Sequence, residues 1–109
     1  MSVDALVLGY ITCANSKEAN YIAFKLVEKE LIACANVIDS ISSIYKWEGA
    51  IVEDKESLLL VKTKKANIDL VSTEVRKLHS YKTPCIVFYD SLVTEPNYLN
   101  WAHSTISKK

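Results

Sequence analysis

Length, composition and charge describe a chain that can build one hydrophobic core and has no excess charge to attract a polyanion. The 109 residues are 50% hydrophobic and 24% charged, which excludes intrinsic disorder and fits a single domain over residues 1–109. Thirteen basic residues balance thirteen acidic ones, so we expect no nucleic acid partner. The longest apolar stretches are of strand length, so we expect no membrane insertion.

Strand and helix patterns alternate from the start of the chain. The apolar run at 5–12 predicts a central strand. Asn15, followed by Glu18 three residues later, predicts the capped start of a helix. The apolar spacing that follows is that of one helix face, formed by Ala19, Ile22, Ala23, Leu26 and Val27.

The middle of the chain predicts a long hairpin. Two extended runs, 36–47 and 50–64, lie on either side of the turn signal Glu48-Gly49. The charged segment 53–56 predicts a tip in water, and the apolar segment 58–61 predicts a base in the core.

The last third predicts a helix over 66–79 with Asn67 as its N-cap, a buried strand over 85–89, and a short helix over 97–107. The resulting order is βαββαβ with an added C-terminal helix. This order is typical of an α+β, ferredoxin-like sandwich with both main helices on one sheet face. The apolar content of the strands requires cover on the other face, and another subunit is the simplest cover.

The cysteines and the start of the chain bear on its compartment. Cys13, Cys34 and Cys85 are an odd number at irregular spacing, which is neither a disulfide framework nor a CxxC zinc motif. Residues 1–4 carry no basic charge ahead of the apolar run, unlike a signal peptide. We therefore expect reduced thiols in a cytoplasmic protein, or in an organellar one whose targeting segment has been removed.

Six segments follow one another in order along nearly the whole chain, and they are Thr12-Cys13-Ala14-Asn15, Leu31-Ile32-Ala33-Cys34-Ala35-Asn36, Ser43-Ile44-Tyr45-Lys46-Trp47-Glu48-Gly49, Leu60-Val61-Lys62-Thr63, His79-Ser80-Tyr81-Lys82-Thr83-Pro84 and Tyr98-Leu99-Asn100-Trp101. Together, and in register, they resemble one known family, the CutA divalent-cation tolerance proteins. The resemblance implies a PII-like homotrimer of ferredoxin-like subunits with long hairpins reaching to neighbours. It also implies a non-enzymatic link to tolerance and homeostasis of copper and other divalent ions.

Candidate metal ligands are His79, Cys13 and Cys85. If the three converged, the site would suit Cu(I), Zn(II) or another soft or borderline ion. The sequence departs from the family pattern here, because Ser80 replaces a proline and Cys85 stands where glutamate is common. Each candidate also has a structural reading: His79 as a residue that ends a helix, and the cysteines as small buried hydrophobes.

A second candidate site is an inter-subunit cleft. Tyr45 and Trp47 are two residues apart on a strand, so they share a face and are candidates for the trimer interface. The cleft residues are predicted to be Trp47, Glu48, Glu56, Lys62, Tyr81 and Trp101. Lys62 lies in an apolar strand and is expected to pair with Glu48 or Glu56, or to face a small organic anion.

Three further functions compete with metal binding. A scaffold or signalling trimer would dock a partner and show no specific metal affinity. A small enzyme would use Cys13 or Cys85 as nucleophile with His79 as base, but the sequence offers no orienting carboxylate beside His79. Small-molecule sensing by analogy with the PII proteins remains open for an anion, whereas a Gly-rich phosphate loop is missing.

Overall fold

Four antiparallel strands and three α-helices form the fold in the computed structural model, which describes residues 5–107. The prediction that residues 1–4 are unlike a signal peptide concerns residues outside this range. Among the described residues no helix is long and apolar enough to cross a membrane. The elements are β1 Val7–Cys13, α1 Ser16–Glu28, β2 Cys34–Trp47, β3 Ala50–Thr63, a 3-10 turn Lys65–Asn67, α2 Ile68–Leu78, β4 Ile86–Asp90 and α3 Pro96–Thr105. The predicted α+β, ferredoxin-like order is confirmed.

The sheet has the strand order β2-β3-β1-β4 with every pair antiparallel. β1 lies between β3 and β4, as its nearly continuous apolar run predicts. Its burial alternates strictly along seven residues, because odd-numbered side chains face the helices and even-numbered ones face away. At the ends of β1 and β3, therefore, side chains can meet only when they lie on the same face of the sheet.

The core lies between the sheet and the two main helices. Ile11 and Leu59 on the strands pack in one cluster with Ile22 and Leu26 of α1 and Val75 of α2, all fully buried. On the opposite sheet face α3 covers one end, where Ala102 and the following Ile106 pack with Leu6 and Ala33 in a second buried cluster. The remaining apolar side chains of that face are only partly covered or exposed, and they are Leu8, Leu58, Leu60, Val87 and Tyr89.

The β2–β3 hairpin projects beyond the rest of the subunit and gives it a long axis of 51 Å. A register shift between Ile38 and Ile41 bends the hairpin, with Ser40 at φ 61° in the bulge. The turn places Glu48 and Gly49 at φ 48° and 83°, as two-residue hairpin turns require. The tip is in water and the base is buried, as predicted.

The sequence predicted N-caps at Asn15 and Asn67, and only Asn15 makes a capping hydrogen bond. The Asn15 side chain accepts from the backbone N–H of Glu18 at 2.9 Å, so the predicted cap is confirmed. Asn67 precedes α2 but makes no side-chain cap. Its amide instead donates to the carbonyl of Leu31 at 2.9 Å. Asn67 therefore occupies the predicted N-cap position, but its side chain binds a tertiary partner and does not cap the helix.

Candidate functional site

A cysteine, a glutamate and a histidine meet where β1 ends. Cys13 is the last residue of β1, Glu18 lies in the first turn of α1, and His79 follows α2. Their ligand-type atoms all lie within 4.8 Å of one another. We call these three residues the Cys–Glu–His cluster. Two of the three were predicted as metal ligands, and Glu18 was missed.

Cys85, the third predicted ligand, is not part of this cluster among the described residues. It is exposed and precedes β4, whereas Cys13 is buried on the helix-facing side of the sheet. The sequence could not separate the two thiols, because it did not show which strand ends are adjacent or which face each residue takes.

Both ring nitrogens of His79 are engaged, and its side chain is fully buried. Nε2 lies 2.8 Å from the carbonyl oxygen of Thr12, which can only accept. Nδ1 accepts from the backbone N–H of Tyr81 at 3.1 Å. These contacts place a proton on Nε2 and make Nδ1 the acceptor of the Tyr81 N–H.

The Glu18 carboxylate bridges two loops. It accepts from the backbone N–H of Ala14 at 3.0 Å and from that of Ser80 at 2.9 Å. Burial acts to raise the pKa of Glu18, but these hydrogen bonds outweigh it and hold the pKa below its ordinary value. Glu18 is therefore ionised at neutral pH, with Oε1 lying 3.7 Å from Nδ1 of His79.

The Cys13 thiol keeps its proton at neutral pH. Burial, with the negative charges of Glu18 and Glu56 added to it, raises the pKa of its thiol to about 12. The same carboxylates that disfavour a thiolate would favour a cation at this position, since a metal ion replaces the thiol proton.

The open side of the sheet and the hairpin form a groove with a volume of about 950 Å³. Two tyrosine–carboxylate pairs lie in it: Tyr81 donates its hydroxyl to Glu56 at 2.8 Å, and Tyr45 donates to Asp54. Burial and Glu56 raise the pKa of Tyr81, and the hydrogen bond to Asp54 raises that of Tyr45. We call this surface the hairpin groove, and its lining includes Tyr45, Trp47, Asp54, Glu56, Tyr81 and Cys85.

Three of the six residues predicted to form the inter-subunit cleft do not line the hairpin groove, and they are Glu48, Lys62 and Trp101. The Lys62 ammonium donates to Asn36 at 3.0 Å and lies 5.7 Å from the ring centroid of Tyr98. Within the subunit Lys62 therefore pairs with neither Glu48 nor Glu56, because β3 directs it toward α3, at a smaller cavity of about 240 Å³. Its place in an inter-subunit cleft stays a prediction. Trp101 stacks near Tyr98 at 5.5 Å on the same side. Glu48 occupies the hairpin turn.

The fold and the cluster define a class: a ferredoxin-like subunit with a long hairpin and a thiol, carboxylate and imidazole gathered at the end of its first strand. Comparison with known proteins makes this class specific. The chain belongs to the CutA1 divalent ion tolerance protein family, whose sequence profile matches residues 7–105.

Relatives in bacteria and animals are about 40% identical to this chain over the residues that match. The divalent-cation tolerance protein CutA of Thermotoga maritima is 40% identical over 103 residues, which are 93% of this chain and 99% of that protein. Protein CutA of Mus musculus is 39% identical over 94 residues, 86% of this chain. The chain spans 53% of the mouse protein's length, about half. The name of the bacterial relative describes a tolerance protein rather than an enzyme.

Solved structures show the same architecture. CutA1 from Oryza sativa superposes with a TM-score of 0.94 at 27% identity, covering 99% of this chain and 100% of that one. The periplasmic divalent cation tolerance protein CutA from Archaeoglobus fulgidus gives 0.90 at 36% identity, covering 94% and 99%. A relative from Arabidopsis thaliana is described as chloroplastic, so members of the family occupy different compartments.

Proposed function

We propose that this chain is the subunit of a non-enzymatic homotrimer that binds a divalent or soft transition-metal ion, copper first among them, and so contributes to metal tolerance and homeostasis. The observation that carries the proposal is the Cys–Glu–His cluster, with three ligand-type atoms within 4.8 Å. One sulfur, one imidazole nitrogen and one carboxylate oxygen suit Cu or Zn better than Mg or Ca.

The hydrogen bonds around His79 fit a metal ligand. Its Nε2–H donates to the Thr12 carbonyl, which is the outer contact that usually orients a metal-bound imidazole. Nδ1 would be the ligand atom, and the Tyr81 N–H would give up its hydrogen bond. Glu18 is already ionised, so only the Cys13 thiol has to lose a proton on binding.

The same cluster argues against an enzyme built on Cys13. An activated cysteine needs a lowered thiol pKa, whereas burial and two carboxylates raise that of Cys13. The nitrogen of His79 that could act as a base, Nδ1, accepts from the Tyr81 N–H rather than from the thiol. We expect slow, unselective alkylation of the thiols by iodoacetamide at neutral pH, and rapid alkylation of Cys13 alone would contradict this.

The homotrimer is supported by what the subunit leaves uncovered. Val87 and Tyr89 on the open sheet face are 40% and 55% exposed, and Trp47 on the hairpin is 63% exposed. Exposed apolar area of this extent is typical of an interface, and Tyr45 and Trp47 are its proposed anchors. Native mass spectrometry at micromolar concentration should show a trimer, and a monomer would contradict the proposal.

A cytoplasmic location is part of the proposal. Cys13, Cys34 and Cys85 are all free thiols in the structure, as expected in a reducing compartment. Fractionation of the source cells should place the protein with cytoplasmic markers, and recovery with a plastid or periplasmic fraction would contradict it.

Calorimetric titration of the reduced protein with Cu and Zn tests the metal site. We expect saturable binding at a whole-number ratio per subunit, weakened at least about tenfold in Cys13→Ser, as loss of one ligand should do. Cys85→Ser is the matched control, because it removes an exposed thiol outside the cluster, and it should bind as the wild type does. Equal binding by all three proteins would favour the scaffold or signalling alternative, with an indirect role in tolerance.

A further inference from the structure

The three side chains of the Cys–Glu–His cluster are closed off from solvent. Cys13 and the side chain of His79 have no exposed area, and the side chain of Glu18 is 13% exposed. Residues 80–83, which follow His79 directly, are exposed at the surface except for the partly buried Tyr81. We call residues 80–83 the cover segment, because they lie between the cluster and water.

The cover segment is tied to the rest of the subunit at its first two residues. The Ser80 N–H donates to Oε2 of Glu18 at 2.9 Å, and the Tyr81 N–H donates to Nδ1 of His79 at 3.1 Å. The Tyr81 hydroxyl donates to Oε2 of Glu56 at 2.8 Å. Within residues 5–107 the rest of the segment makes no hydrogen bond or ion pair, so few contacts oppose its opening.

The Tyr81 N–H occupies the atom of His79 that a metal ion would need. A neutral imidazole has one free lone pair, so Nδ1 cannot accept from Tyr81 and bind an ion at the same time. Nε2 offers no alternative, because it lies 2.8 Å from the Thr12 carbonyl and carries the ring proton. The Glu18 carboxylate differs, since each of its oxygens can bind an ion and keep a donor. Tyr81 must therefore leave Nδ1 before His79 can become a ligand.

A contact with the hairpin stabilises Tyr81 in this position. Its ring lies beside that of His79, with 4.7 Å between the centroids, and its hydroxyl reaches Glu56. Glu56 is only 9% exposed, and none of the ion pairs within residues 5–107 involves it. A buried carboxylate without a counter-cation depends on its hydrogen-bond donors, so the Tyr81 hydroxyl is costly to remove.

We propose that the cover segment is a latch on the metal site, and that Tyr81 and Glu56 set how tightly the site binds its ion. The inference rests on the proposed metal-binding function. In the closed form the Tyr81 N–H occupies Nδ1 of His79, and in the open form Tyr81 has left both His79 and Glu56. Since only the open form offers the lone pair, the apparent metal affinity is reduced by the fraction of molecules that are closed. Tyr81 and Glu56 are positioning residues, because neither is a ligand.

Amide hydrogen exchange of the intact protein, read by NMR with and without zinc, tests the opening. A hydrogen-bonded amide exchanges when its bond opens, so exchange of the Tyr81 N–H should become at least about tenfold faster when zinc binds. The His79 N–H donates to the carbonyl of Val75 at 2.9 Å and is the internal reference. Its exchange should not become faster.

Tyr81→Phe tests the contact that holds the latch closed. The substitution keeps the ring beside His79 and removes the hydroxyl bound to Glu56. Zinc affinity measured by calorimetry should rise about tenfold, the lower end of the worth of a hydrogen bond to a charged group. A merely structural role would lower the affinity instead. Tyr45→Phe is the matched control, because its hydroxyl binds another hairpin carboxylate, Asp54, and it should bind zinc as the wild type does.

The possible failures are distinguishable. Zinc binding that Cys13→Ser weakens, with the Tyr81 amide as protected as before, would overturn the latch and leave the metal site standing. Equal zinc affinity in the wild type and Tyr81→Phe would also overturn the latch. No zinc binding by either protein would overturn both proposals. If Tyr81→Phe does not fold, the exchange measurement on the wild type decides the question.

Discussion

Glu18 joins segments 62 residues apart, and its removal should destabilise the fold far more than removal of another glutamate from the same helix. Backbone N–H groups of Ala14 and Ser80 donate to it at 3.0 and 2.9 Å. Hydrogen bonds to a charged group contribute about 1.5–3 kcal/mol each, and Ser80 is exposed enough for water to replace part of its bond. We therefore expect Glu18→Ala to lower the free energy of unfolding by about 2–4 kcal/mol at pH 7.

The pH dependence separates this effect from lost packing. The pKa of Glu18 is lowered on folding from its ordinary value of 4.5, so its contribution is complete above pH 4.5. That contribution disappears as the pH falls through the lower pKa of the folded state. The stability gap between wild type and Glu18→Ala should accordingly narrow as the pH is lowered below 4.5.

Glu28→Ala provides the control. Glu28 lies on the same helix, its side chain is 72% exposed, and its one ion pair with Lys25 spans 3.6 Å. The expected loss is below about 0.5 kcal/mol. Urea unfolding of the three proteins at one fixed protein concentration, between pH 7 and pH 3, measures both quantities. A Glu18→Ala protein as stable as Glu28→Ala, or a gap that does not change with pH, would refute the reasoning.

Other predictions concern the core and two surface contacts. A Cβ at Gly9 would lie 2.6 Å from Cγ2 of Val61, so Gly9→Ala should cost about 1–3 kcal/mol, and adding Val61→Ala should recover part of that loss in a double-mutant cycle. Asn15→Ala removes the cap of α1 and should cost about 1 kcal/mol in urea unfolding, and no change would contradict the cap. Lys29→Met removes the partner that lowers the pKa of Glu74, so acid-base titration by NMR should find that pKa raised toward 4.5.

Local patterns predicted most of the fold. β1 is a central strand as its apolar run predicts, and the Asn15 cap and Glu48-Gly49 turn occur where the residue types place them. These features depend on neighbours in sequence. Asn67 occupies its predicted N-cap position without making the capping hydrogen bond, because its partner Leu31 is 36 residues away and no local pattern shows it.

The candidate site was only partly predictable for the same reason. Glu18 fits a capping box, and that local role concealed its contacts with Ser80 and His79 across the fold. Lys62 was expected to pair with a carboxylate or face an anion. Within the subunit, β3 directs its ammonium to Asn36 and the Tyr98 ring. Such contacts depend on the strand register and on the sheet face that each side chain occupies. A single sequence specifies neither of these.

X-ray absorption on the zinc-loaded and copper-loaded protein tests the proposed metal site most directly, because it reports which elements bind the ion. For zinc, coordination by the Cys–Glu–His cluster predicts one sulfur at about 2.3 Å with nitrogen and oxygen ligands at about 2.0–2.2 Å. The sulfur shell should disappear in Cys13→Ser and remain in Cys85→Ser. A spectrum with only nitrogen and oxygen ligands, or a sulfur shell that Cys13→Ser leaves intact, would contradict the site.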